Sequence, residues 1–268
     1  VVRNVLDKYF GLKDRVAIIT GPAKGMGEAA TLTLADAGAD LVLVGRDLAP
    51  IENVAKKVRN LDRRAEVIQC DVTKHDQVVK VCEATLKNFG KIDILVNIAG
   101  GTGPLGKFSW ETTPEEFDQI INLNMKGCFL TMKAALPSMI EKRYGKIVNV
   151  GGTFGLRGRA LRMAYSASKW GLRGITKSTA LEVGRHNINV NCLCPGMVDG
   201  PRFKKVCAER AASRGISVEE ARAEHEDEYA LRRISTAQDV ANAILFFSSD
   251  ASQNITGQDL SIDGGWVI

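Results

Sequence analysis

Paired cysteines, clustered histidines and long apolar runs are all missing from this 268-residue chain. Its six cysteines, Cys70, Cys82, Cys128, Cys192, Cys194 and Cys207, include no Cys-x-x-Cys pair. Its three histidines, His75, His186 and His225, are far apart in sequence. No metal centre is therefore expected, and scattered thiols suit a reducing, cytoplasmic setting. No apolar stretch approaches the roughly 20 residues of a membrane span, and residues 1–10 are too charged for a signal peptide. No Lys/Arg run interleaved with aromatics occurs, so the net charge of +5 does not point to nucleic acid. Repeats and low-complexity linkers are absent as well.

What remains is ordinary globular material, 45% hydrophobic and 25% charged. A chain of this size buries a core without disulfides or metal. Short apolar runs predict strands at 16–20, 41–44, 65–70, 94–97, 147–150, 188–194 and 260–262. Amphipathic stretches predict helices at 28–36, 50–60, 77–88, 115–141, 164–184 and 237–248. This alternation implies right-handed βαβ units. The fold class is α/β, a single domain over residues 1–268 built on a Rossmann-like, doubly wound parallel sheet of about seven strands. Residues 203–230 stand apart as a charged helical insert. They read either as a solvated surface helix or as a lid over the substrate, since such inserts border the ligand crevice of these sheets.

Gly21, Gly25 and Gly27 follow the first strand and open the first amphipathic helix. Glycines there permit a tight turn and close approach to a pyrophosphate, which the helix N-terminus then favours. The second strand ends Val44-Gly45-Arg46-Asp47. A carboxylate at the strand end would repel a 2′-phosphate. Gly45 stands there instead, flanked by Arg46, and Lys24 adds a second cation from the glycine loop. NADP is therefore expected over NAD, with Asp47 free to neutralise Arg46 or to turn towards the ribose. Farther on, Tyr165 and Lys169 lie at i and i+4, on one face of a helix. A cation held there favours the phenolate, as a proton-transferring phenol requires.

With Asp71, Asn97-Ile98-Ala99-Gly100, Asn124, Pro195-Gly196 and Gly257-Gln258-x-x-x-x-Asp263-Gly264-Gly265 in the same order and spacing, the chain resembles the short-chain dehydrogenases/reductases from about Leu12 to its end. The resemblance implies a role for each matching position. Asp71 and Val72 would meet the adenine, while Asn97, Ala99 and Gly100 would wall the cofactor, with Met26 beside the glycine loop. Pro195, Gly196 and Val198 would meet the nicotinamide carboxamide. Tyr165 would exchange a proton with the substrate, Lys169 would also bond the ribose, and Asn124 would hold a water on a proton path. A homotetramer is implied too, supported by the apolar content of residues 125–140.

The chain departs from that pattern at Gly152, where the family usually has a serine that bonds the substrate oxygen. Thr153 follows directly. On a regular strand it would face the other way, so it serves only if the backbone twists; otherwise Ser166, a water or the substrate fills the role. Gly200 and Ile98 also differ from the usual threonine and asparagine. Thr153, Phe154, Arg159 and Arg162 are the expected substrate contacts. With Arg157, these arginines suit an anionic substrate, or they serve subunit contacts or face solvent. The function implied is hydride transfer between NADP(H) and a secondary alcohol or ketone. The alternative, which Gly152 supports, is a non-catalytic NADP(H)-binding regulatory or scaffold protein.

Overall fold

The computed structural model describes residues 2–267. Seven strands, β1 (Val16–Thr20), β2 (Asp40–Gly45), β3 (Ala65–Gln69), β4 (Ile94–Asn97), β5 (Gly145–Val150), β6 (Ile188–Pro195) and β7 (Asp259–Ile262), form one sheet in the order β3-β2-β1-β4-β5-β6-β7. Every pairing is parallel, with Ile18 beside both Val42 and Leu95. The seven expected strands are all present.

Side-chain alternation sends each strand into two cores. Ala17, Ile19, Leu41 and Leu43 pack on one face, against α2 (Met26–Asp36), α3 (Leu48–Arg59) and α10 (Ala237–Ser248). Ile18, Val42, Val44 and Leu95 pack on the other, against α4 (His75–Phe89), α6 (Gly127–Lys142) and α7 (Met163–Val183). Both faces are thus covered, which is why β1 and β4 are apolar along nearly their whole length. α1 (Val2–Phe10) precedes the sheet and was not anticipated.

The single long helix expected at 115–141 is divided. α5 (Pro114–Ile121) starts on the Thr113–Glu116 capping box, and a π-helical turn at Asn122–Lys126 joins it to α6. The insert is a helical pair, α8 (Pro201–Arg214) and α9 (Val218–Asp227). It is less polar than its charges suggest. Phe203, Cys207, Tyr229 and Ile234 form a third small core, with Met197 and Trp266 packed against it.

Candidate functional site

The strand order reverses between β1 and β4, and ligands bind at such a switch point. Here lies a crevice of about 370 Å³. Gly21 turns the chain at φ +72°, and an added Cβ would meet the Ala99 backbone at 3.0 Å. At Gly27 an added Cβ would fall 2.0 Å from the Gly21 carbonyl oxygen. Gly25, at φ +56°, opens α2. The first N–H groups of a helix lack intrahelical partners, so this end accepts an anion. Lys24 and Met26 line the crevice beside it, with Ala99 and Gly100 on the opposite wall. Thr20 pins that wall: its Oγ1 accepts from the backbone N–H of Ile98 (3.1 Å) and Ala99 (3.2 Å).

At the far end, Gly45 has its own constraint. An added Cβ would stand 2.7 Å from Ile51 Cδ1, so no carboxylate fits unless Ile51 moves. Arg46 and Asp47 line the mouth without forming an ion pair with each other or with any other described residue. Asp71 and Val72 complete this end. Burial pushes the Asp71 carboxyl up, but bonds from the Thr73 N–H (2.9 Å) and hydroxyl (2.8 Å), then Arg46 and Lys74, outweigh it and hold the group below its ordinary range.

Asn97 is buried inside the sheet, donating to Asn149 Oδ1 (2.9 Å) and accepting from Thr131 Oγ1 (2.8 Å), and it does not line the crevice.

A narrower pocket of about 50 Å³ holds several of the side chains expected to react. Gly152, Thr153, Phe154 and Tyr165 share it with Pro195 and Gly196. Val198 lies nearby, paired with Ser235, but lines neither space. Lys169 is buried one helical turn beyond Tyr165; its Nζ donates to the Val150 carbonyl (3.0 Å) and lies 5.7 Å from the phenol ring centre. Asn124 sits in the π-helical turn, a common setting for functional residues. Its Oδ1 accepts from Gly101 N–H (2.8 Å), and its Nδ2 donates to Gly101 O and Ser168 Oγ (both 3.0 Å). Ser168 in turn donates to the Tyr165 carbonyl (2.7 Å).

The strand argument against Thr153 does not apply. β5 ends at Val150, Gly152 adopts φ +154° and ψ 159°, and a 3₁₀ turn begins at Thr153. This glycine-only geometry brings Thr153 into the pocket, where it is buried. An added Cβ at Gly152 would lie 3.4 Å from the Tyr165 hydroxyl.

The arginines separate. Arg159 is exposed and stands over the Phe154 ring at 5.8 Å, while Arg157 covers Trp266 at 4.5 Å. Arg162 is buried, with its guanidinium 4.8 Å from the Tyr165 ring centre. Sequence reasoning missed Arg202, the arginine that does line the pocket of Thr153 and Tyr165, because in sequence it is one charge among many. It also missed Ser168 and the bridging role of Thr20, neither of which has a local signal. Trp266 also stands in the pocket wall. Cys192 and Cys194 come within 4.8 Å of Asp259, but that carboxylate already accepts from Arg173 (2.9 Å) and Lys177 (2.8 Å). All six thiols are buried, and burial pushes Cys70 to about 11 and Cys82 to about 12.

The sequence profile described as short chain dehydrogenase matches residues 15–211. The chain belongs to that family. Short-chain dehydrogenases similar to it include the 3-oxoacyl-[acyl-carrier-protein] reductase of Thermotoga maritima, 35% identical over 96% of this chain and 99% of the relative. Among solved structures, an actinorhodin polyketide ketoreductase with NADPH superposes with a TM-score of 0.87 at 29% identity, covering 94% of this chain and 97% of that one. An NAD⁺-bound xylitol dehydrogenase superposes at 0.88 and 27% identity, covering 95% and 99%. The chain is thus a short-chain oxidoreductase of the NAD(P)-binding type. No helix among the described residues is long and apolar enough to cross a membrane.

Proposed function

We propose that the chain is an NADP(H)-dependent alcohol dehydrogenase or carbonyl reductase acting on a secondary alcohol or ketone. The observation that carries this reading is the Tyr165 hydroxyl standing against Gly152 in a pocket shared with Thr153, with Lys169 fixed to Val150 one helical turn away.

When bound, the dinucleotide supplies or accepts the hydride. The glycine loop and the α2 N-terminus take its pyrophosphate, and Lys24 and Arg46 take the 2′-phosphate that no carboxylate at Gly45 repels. Asp71 and Val72 meet the adenine, Ala99 and Gly100 wall the cofactor, and Pro195, Gly196 and Val198 bound its nicotinamide end. In reduction, Tyr165 gives its hydroxyl proton to the carbonyl oxygen, and Thr153 donates a second hydrogen bond to the same atom. Lys169 favours the phenolate left behind, and the proton returns from solvent past Asn124. In oxidation the phenolate takes the alcohol proton instead.

The α8–α9 pair acts as a lid, joined to the pocket by Trp266, which stacks on Tyr229 at 5.2 Å and meets Phe154 at 5.7 Å. A cytoplasmic homotetramer completes the reading, supported by Phe129 on α6 and by Trp170 and Leu181 on α7, all left exposed.

Nicotinamide absorbance with NADP and NAD, against a panel of secondary alcohols and ketones, tests this. Turnover should favour NADP and collapse in Tyr165→Phe. Thr153→Val should lose about 10²–10³ in kcat, the cost of one oxyanion donor, with cofactor affinity unchanged. Equal turnover by wild type and Tyr165→Phe would refute the mechanism. Gly152 favours one other reading, a cofactor-binding scaffold; saturable NADP binding without turnover on any panel member would support it.

A further inference from the structure

We propose that the substrate is a short oxo or hydroxy carboxylate whose anionic group seats on Arg162, with Arg202 completing the contact from the insert. This rests on the oxidoreductase reading above and names its substrate class.

Arg162 is 9% exposed, and its Nε and Nη2 have no acceptor among the described residues. A guanidinium taken out of water without a partner is strongly disfavoured. Its contact with the Tyr165 ring offsets only a small part of that penalty. Other partly buried arginines do have acids: Arg173 with Asp259 (2.9 Å) and Arg210 with Glu228 (2.8 Å). Around this pocket Arg157, Arg159 and Arg162 stand over the rings of Trp266, Phe154 and Tyr165 in its wall, Arg202 lines it, and among the described residues none of the four forms an ion pair. Burial, with repulsion from Arg202, pushes the Arg162 guanidinium down from its usual range. An incoming anion reverses both effects.

A carboxylate matches the two-pronged guanidinium edge. The guanidinium overlies the ring whose hydroxyl moves the proton, so the anion lies only a few bonds from the reacting carbon. The pocket of about 50 Å³ suits a short chain. A neutral ketone would leave the buried charge unanswered.

Calorimetry on protein saturated with oxidised cofactor tests the site without turnover. Pyruvate, acetoacetate and levulinate carry the carboxylate at successive distances from the ketone, and each is compared with its methyl ester. At least one acid should bind about 100-fold tighter than its ester, the loss expected when one partner of a buried charged pair is removed. In Arg162→Met the acid-to-ester ratio should fall towards one, and Arg162→Lys should restore part of it. Unchanged cofactor affinity verifies that both variants are folded. Equal affinity for acid and ester, no binding of any acid, or equal weakening of both in Arg162→Met overturns the proposal. Acid-selective binding without turnover would refute the oxidoreductase reading alone; turnover of neutral ketones without acid preference would refute the carboxylate site alone.

Discussion

Arg162 shows at the scale of one residue how a binding group opposes folding. Its charge is buried without an acid among the described residues, so removing it relieves the free protein. Arg162→Met should raise ligand-free stability by about 1–3 kcal/mol, or about 2–4 °C per kcal/mol in a domain of this class. A melting temperature below wild type would show that the guanidinium is satisfied after all. Other residues differ in how far sequence revealed them. Gly21 and Gly27 were legible because their turn admits no side chain. The partners of Asn97 were not legible, because they are Asn149 and Thr131, 52 and 34 residues away. Pattern alone does not say which face of a strand end a polar side chain takes.

At the scale of elements, periodicity located the strands but not the interruptions. Nothing in composition marks the turn at Asn122–Lys126, where one extra residue re-aims Asn124 towards Gly101 and Ser168. The α8–α9 pair misled in another way, since counting its charges hid Phe203 and Cys207, which pack with Tyr229 just after it. That pair also carries a pH response. His225 on α9 is buried edge-on to Phe203 at 5.6 Å, with neither ring nitrogen hydrogen-bonded among the described residues. Burial, then Arg210, pushes it below its ordinary value near 6.5, against the opposing pull of Glu228. The unfolded chain therefore binds the proton more readily. This contribution to stability is complete above about pH 6.5 and is lost as pH falls from there towards the folded value. Amide exchange in α8 and α9 should be faster at pH 5.5 than at 7.5 after correction for intrinsic rates, and His225→Phe should remove the difference. Protection independent of pH in wild type would disprove it.

For the whole molecule, parallel pairing was readable because strands buried on both faces and alternating with helices have no other pattern available, whereas the order of the strands in the sheet came from the structure. The same architecture couples the site to global stability, since the cofactor crevice is cut into the sheet's central pair, β1 and β4. A ligand at 100 times its dissociation constant adds about 2.7 kcal/mol, and at about 2–4 °C per kcal/mol this is readily measured by calorimetry. NADP should raise the melting temperature more than NAD at equal concentration, and Arg46→Ala should erase the gap. Equal shifts in wild type would mean that Arg46 and Lys24 do not read the 2′-phosphate.

Gly152 also constrains how this site can be altered. Its φ of +154° is one that side-chain-bearing residues rarely adopt, so serine placed at 152 alone would be strained. The loop must turn first, and that turn alone would carry Thr153 out of the pocket. A serine at 152 and the present Gly152–Thr153 geometry would therefore be alternatives that no single substitution interconverts. Saturation of positions 151–153 together, scored for turnover, would expose this: serine at 152 should appear only alongside changes at its neighbours, and activity retained by Gly152→Ser alone would show the path to be open.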